Sequence, residues 1–130
     1  MASAATANTV HLHIPSFKKI CGDAYVFTDE ESLNNYAHDE TENLHFLPDV
    51  VIKPRTAEEI SAVMKICNEQ LIPVTPRGAG TGLSGGALPH KAGVLISFER
   101  MNAIIEIDEK NLQVITEPGV ITEVLQNAVK

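Results

Sequence analysis

Apolar residues recur along this chain in two registers. Ile60, Val63, Met64, Cys67 and Leu71 stand three or four positions apart, one stripe of a helix. Thr56-Ala-Glu-Glu59 ahead of them is a capping box, in which the threonine oxygen accepts a backbone N–H and the glutamate reaches back. A second box, Thr28-Asp-Glu-Glu31, announces a short helix through Leu33 and Tyr36. Short β-branched runs predict strands at Val50-Val51-Ile52, Pro73-Val74-Thr75-Pro76, Val94–Ser97 and Ile104–Ile107. Leu112–Glu117 alternates apolar and polar residues and reads as a hairpin partner, turned at Asp108–Asn111. Strand, helix and strand over residues 50–76 make a βαβ unit with parallel strands. At the N-terminus, residues 1–10 read as a frayed leader. Ile14–Cys21 then reads as a short helix with Phe17, Ile20 and Cys21 inward, stopped by Gly22. Val120, Ile121, Val124, Leu125, Ala128 and Val129 begin a last helical stripe that is unfinished at Lys130. The pattern therefore predicts an α+β fold in a piece of a longer protein. Residues 1–22 are leader and short helix, and residues 23–130 are the N-terminal part of a larger domain.

Charge narrows the function. The 130 residues carry 10 Lys+Arg against 17 Asp+Glu, a formal net charge of −7. A sequence-independent nucleic-acid binder needs a basic face to displace counterions, so that class is disfavoured. No apolar run is long enough for a transmembrane segment. The first ten residues lack the basic and apolar regions of a secretory signal. Cys21 and Cys67 are the two cysteines, too few and too far apart for a disulfide framework, and they suit a reducing, cytoplasmic setting. Both read as small core-filling thiols. His11-x-His13 on an extended segment lacks a third ligand fixed by spacing, so no metal site is expected. Glu106, Asp108 and Glu109 read as a solvated hairpin end, and Lys18-Lys19 is too short to be a nucleic-acid patch.

The chemistry lies in Pro76-Arg77-Gly78-Ala79-Gly80-Thr81-Gly82-Leu83-Ser84-Gly85-Gly86. Five glycines in nine residues lose much conformational entropy on ordering, and no apolar periodicity offsets it. A phosphate can order such a loop, because successive backbone N–H groups then point into one concavity. Thr81 and Ser84 add hydroxyls and Arg77 adds a fixed charge. Between Gln70 and Phe98 there is no Asp or Glu, although the chain as a whole is acidic. Walker A is excluded, since no Gly-Lys-Ser/Thr occurs. Gly80-x-Gly82-x-x-Gly85 matches the bare dinucleotide fingerprint, but Gly86 and Pro89 follow where a helix should open. A glycine-rich turn without a ligand is the bland alternative.

The run Pro73–Pro89 closely resembles the FAD-pyrophosphate loop of flavoproteins of the vanillyl-alcohol oxidase / p-cresol methylhydroxylase (PCMH) type. Within them it looks most like the glycolate oxidase FAD-binding subunit and the D-lactate and D-2-hydroxyglutarate dehydrogenases. Tyr36-Ala-His-Asp39, Pro48–Pro54, Glu58-Glu59-Ile60, Arg100-Met-Asn102 and Pro118-Gly-Val120 fall in the order used by that family, so the resemblance covers residues 20–130. It implies the N-terminal part of a PCMH-type FAD-binding domain, a βαβ unit with a glycine-rich pyrophosphate loop followed by antiparallel strands. Arg77 to Thr81 would cradle the FAD diphosphate, Pro76 would open the loop, and Gly82, Leu83, Ser84 and Gly85 would follow the diphosphate and ribityl chain. Pro118 and Gly119 would form a second backbone edge. Some members attach flavin through a His in this loop; Arg77-Gly-Ala-Gly has none, so non-covalent FAD is expected, and His90 reads as a loop residue outside it.

The implied activity is oxidation of a small 2-hydroxy acid to the 2-oxo acid by hydride transfer to flavin. The fragment itself would be inactive, because the family's catalytic residues lie downstream and none is assigned here. An electron-transfer partner subunit, and membrane association through it, fit the same resemblance. Two other readings stay open: a same-fold flavoprotein for another alcohol, and a non-enzymatic phosphate- or nucleotide-binding module.

Overall fold

The computed structural model describes residues 2–39, 44–81, 86–89 and 91–130. Four strands form the main sheet: β1 (Val26–Phe27), β2 (Val50–Ile52), β3 (Val74–Arg77) and β4 (Val94–Ser97), in the order β1-β2-β4-β3. β1 runs antiparallel to β2, whereas β2 and β3 are both parallel to β4. The expected strands of the βαβ unit are thus parallel to each other, but they are not neighbours, because β4 lies between them.

Every residue of β2 and β4 is buried, as strands covered on both faces must be. Period-two alternation divides their side chains. Val50, Ile52, Val94 and Ile96 join Val10, Phe17, Cys21, Val63 and Cys67 in one core, supplied by helices α1 (Ala2–Cys21) and α3 (Ala57–Glu69). Val51 and Leu95 face the other way and meet Leu33 of α2 (Glu30–Asn34) and Tyr36 just beyond it. Cys21 and Cys67 are buried, and desolvation pushes both thiols up to about 11, so neither is a poised nucleophile.

β5 (Ile104–Asp108) and β6 (Gln113–Thr116) form the expected antiparallel hairpin, with a register irregularity between Ile104 and Glu106. Asp108 shapes its turn by accepting from Asn111 N at 3.1 Å. Helix α4 (Thr122–Ala128) follows. Among the described residues no helix is long and apolar enough to cross a membrane.

Three local expectations are corrected. The N-terminal helix is not confined to Ile14–Cys21 behind a frayed leader: α1 begins at Ala2. Alanines at 2, 4, 5 and 7 favour helix, and Val10 is as fully buried as Phe17, which extends the inward stripe back by a turn. On that helix His11 and His13 are two positions apart and do not share a face. Ahead of α2 the cap is Asp29, accepting from Ser32 N at 3.0 Å, one residue beyond Thr28. Thr56 caps α3 as expected, but Glu59 reaches back to Arg55 N rather than to Thr56 N.

α3 ends in an unusual way. Leu71, read as part of the inward stripe, is 80% exposed and adopts φ 55°. Ile72 N donates to Cys67 O at 2.9 Å, closing a Schellman turn in which the left-handed position normally belongs to glycine. An L-residue there costs about 1 kcal/mol. Leu71→Gly is therefore expected to raise stability by up to about 1 kcal/mol, read as a higher urea midpoint at unchanged slope. A lower midpoint would show that the exposed leucine contributes packing that outweighs its backbone strain.

Candidate functional site

The carboxyl ends of the parallel strands converge on Tyr36, where open parallel sheets commonly place ligand sites. β3 ends at Arg77, opposite Ser97 of β4. Phe98 N donates to Arg77 O at 3.1 Å, which pins the backbone there. The Arg77 side chain is buried. It donates to Tyr36 O at 3.4 Å and lies 5.4 Å from the Tyr36 ring centre. Among the described residues no carboxylate is paired with it.

Lys53 follows β2 and Glu99 follows β4. Glu99 Oε1 accepts from Tyr36 Oη and Oε2 accepts from Lys53 Nζ at 3.2 Å. Lys53 is also held 4.9 Å from the Phe27 ring centre and 5.5 Å from that of Tyr36. Burial alone would raise the Glu99 carboxyl, but the bonds from Tyr36 and Lys53 outweigh it and hold the group below the ordinary glutamate range. Burial, and then the bond to Glu99, push the Tyr36 phenol up. Burial opposes the charge on Lys53, yet Tyr36 and Glu99 together raise it above the ordinary lysine value.

Beside this network lies a cavity of about 620 Å³, within the ordinary size of a small-molecule site. Arg77, Gly78 and Ala79 line it together with Gly119, Ile121 and Val124, so two segments forty positions apart in the chain meet around one space. Tyr36, Asn35, Glu99 and Asn102 complete the lining. Gly119 is held there by donating to Met101 O at 2.7 Å. A Cβ at Gly119 would collide with the carbonyl oxygens of Phe98 and Met101, so a side chain does not fit. Gly80 adopts φ 75°, and a Cβ there would overlap the Arg77 guanidinium. This glycine thus serves both the turn and the space that the arginine occupies.

Of the other residues singled out in the sequence, Pro76 sits in β3 opposite Ile96 with its ring exposed, and Thr81 is exposed. Pro118 approaches Gly78 through its carbonyl oxygen. Gly82, Leu83, Ser84, Gly85 and His90 lie outside the described residues. Sequence reasoning assigned no site role to Tyr36, Lys53, Glu99, Asn35 or Asn102. A usable signal was present for two of them: Lys53 and Glu99 are the charged residues just past the ends of β2 and β4.

Glu99 has a pH signature. A carboxyl held below its unfolded value contributes stability in full above that value, 4.5, and loses it as pH falls through the lower folded-state value. The urea-midpoint difference between the native protein and Glu99→Gln is therefore expected to hold steady from about pH 7 to about pH 5.5 and to shrink below pH 4.5. A difference that widens on acidification would contradict the Tyr36–Glu99–Lys53 arrangement.

Residues 48–130 match the FAD binding domain family. The chain is 47% identical over 87 residues, 67% of its length, to the glycolate oxidase subunit GlcD of Bacillus subtilis, of which that match covers 18%. It is 40% identical over 119 residues, 90% of its length, to D-lactate dehydrogenase of Anaerostipes hadrus, of which it covers 25%. The chain thus spans about a fifth to a quarter of the length of these curated relatives. Among solved structures, substrate-bound p-cresol methylhydroxylase superposes with a TM-score of 0.81 at 28% identity, over 92% of this chain and 24% of that one. This chain belongs to the FAD binding domain family, in the p-cresol methylhydroxylase-type flavoproteins, and FAD is its cofactor.

Proposed function

We propose that the segment Pro76–Gly85, with Pro118 and Gly119, holds the diphosphate of a non-covalently bound FAD. The whole protein then oxidises a small 2-hydroxy acid of the glycolate or D-lactate type. The observation that carries this reading is the Arg77 guanidinium, buried at the cavity without a paired carboxylate among the described residues. A buried cation is costly unless something neutralises it, and a diphosphate supplies the missing charge. Gly78 and Ala79 bring backbone beside it, and Gly80 leaves room for the arginine itself. These residues fit the group. When bound, FAD would supply the hydride-accepting chemistry for this oxidation, in which the substrate hydroxyl also gives up its proton; the part of the residues described here is to bind and orient the cofactor.

The substrate class rests on identities of 47% and 40% to proteins named glycolate oxidase subunit and D-lactate dehydrogenase, against 28% to p-cresol methylhydroxylase. An electron-transfer partner belongs to the same reading, and the word "subunit" in the name of the first relative supports it.

Residues 23–130 are read as the N-terminal part of the FAD domain, with the rest of that domain and the substrate-binding cap encoded elsewhere in the protein. The low coverage of the relatives supports this, as does the apolar surface on the hairpin and α4. There Ile105, Ile115, Ile121 and Val124 are each more than half exposed.

Two measurements test the cofactor reading. Acid precipitation of the intact protein should release all its flavin as FAD into the supernatant; flavin retained on the pellet would overturn non-covalent attachment. Arg77→Gln and Gly80→Ala should each weaken FAD binding at least about tenfold, measured by titrating the apoprotein. Undiminished affinity in both variants, with the fold intact, would overturn the assignment of the loop.

A further inference from the structure

The cavity holds a second charge, of the opposite sign. Glu99 lines it beside Arg77, yet the two are not an ion pair: Glu99 is bound by Tyr36 and Lys53 instead. Both carboxylate oxygens are held, one by each donor, and Lys53 is itself fixed over two aromatic rings. The side chain nevertheless stays 49% exposed. Each carboxylate oxygen accepts about two hydrogen bonds, so acceptor capacity remains on both. A carboxylate that served only as a solvated surface charge would not need this scaffold. Its place in the sequence is equally pointed. The chain carries no Asp or Glu between Gln70 and Phe98, and Glu99 is the first acidic residue after that gap.

We infer that Glu99 is a ligand-reading residue, which accepts hydrogen bonds from hydroxyl or amine groups flanking the diphosphate and turns away any additional phosphoryl group. An acceptor-only anion repels phosphate and binds donors. Arg77 and Glu99 therefore divide the cavity by chemistry, one for the anionic linkage and one for its neutral, hydroxyl-bearing flank. FAD carries sugar hydroxyls on both sides of its diphosphate, so either flank meets the requirement. Tyr36 and Lys53 act as positioning residues, fixing the carboxylate before the ligand arrives. The inference rests on the diphosphate reading of Arg77 and deepens it.

The test compares two probes on the intact apoprotein by calorimetry: FAD, and inorganic pyrophosphate, which has the phosphoryl groups and no flanking hydroxyls. Glu99→Gln should weaken FAD about tenfold, as expected when a charged acceptor becomes a neutral one. It should leave pyrophosphate unchanged or bind it more tightly, because a like charge has gone. A purely structural role would weaken both together. Equal weakening of both probes, or no change in FAD affinity, overturns the inference. Glu99→Ala gives the same pattern should the glutamine variant fold poorly. Arg77→Gln separates the two claims. If it abolishes binding of both probes while Glu99→Gln behaves as wild type, the diphosphate reading stands and this inference falls. If Arg77→Gln binds both probes normally, both fall.

Discussion

The structure turns on a buried positive charge at the end of a parallel strand. Arg77 is carried into the protein by β3, and its carbonyl is tied to Phe98 N. Among the described residues its guanidinium rests on one backbone carbonyl and one aromatic ring, both from Tyr36. Those contacts orient the group but bring no negative charge. An arginine cannot escape by losing its proton, and in the function proposed above the FAD diphosphate supplies its counter-charge, with the glycine backbone alongside as a source of N–H donors.

The sheet exists to hold that arrangement steady. Residues of β2 and β4 alternate between two cores, one under α1 and α3 and the other under α2. The second core contains Tyr36, so the residue that seats Arg77 is itself packed against Val51 and Leu95. Burial of side chains of this size contributes roughly 1.5–3 kcal/mol each, far more than the contacts of Arg77 alone. The position of the ring is therefore set by the hydrophobic core and is independent of the ligand. On the other face the two cysteines are plain core residues.

Much of the fold could be read from the chain. The stripe of α3, its Thr56 cap, the strands at 50–52 and 94–97 and the hairpin all follow from periodicity and turn chemistry, which are local. What could not be read was spatial order. Sequence order puts β3 next to β2, but β4 pairs with both, and nothing in a short apolar run encodes which neighbour it will take. β1, two residues long, is below the length at which a pattern exists. The site divides in the same way. The glycine loop announced itself through composition, and Arg77, Gly78, Ala79 and Gly119 do meet at one cavity. The network beside them spans 63 positions from Tyr36 to Glu99 and 46 from Lys53 to Glu99. Such pairs become visible only once the strands are assembled.

The central claim is that the backbone following Arg77 closes on the cofactor's diphosphate. Amide hydrogen exchange on the intact protein, with and without FAD, tests it most directly. The account predicts that the amides of Gly78, Ala79 and Gly80 exchange quickly in the apoprotein and become strongly protected when FAD binds. Protection that rises elsewhere while these three amides exchange unchanged would contradict it.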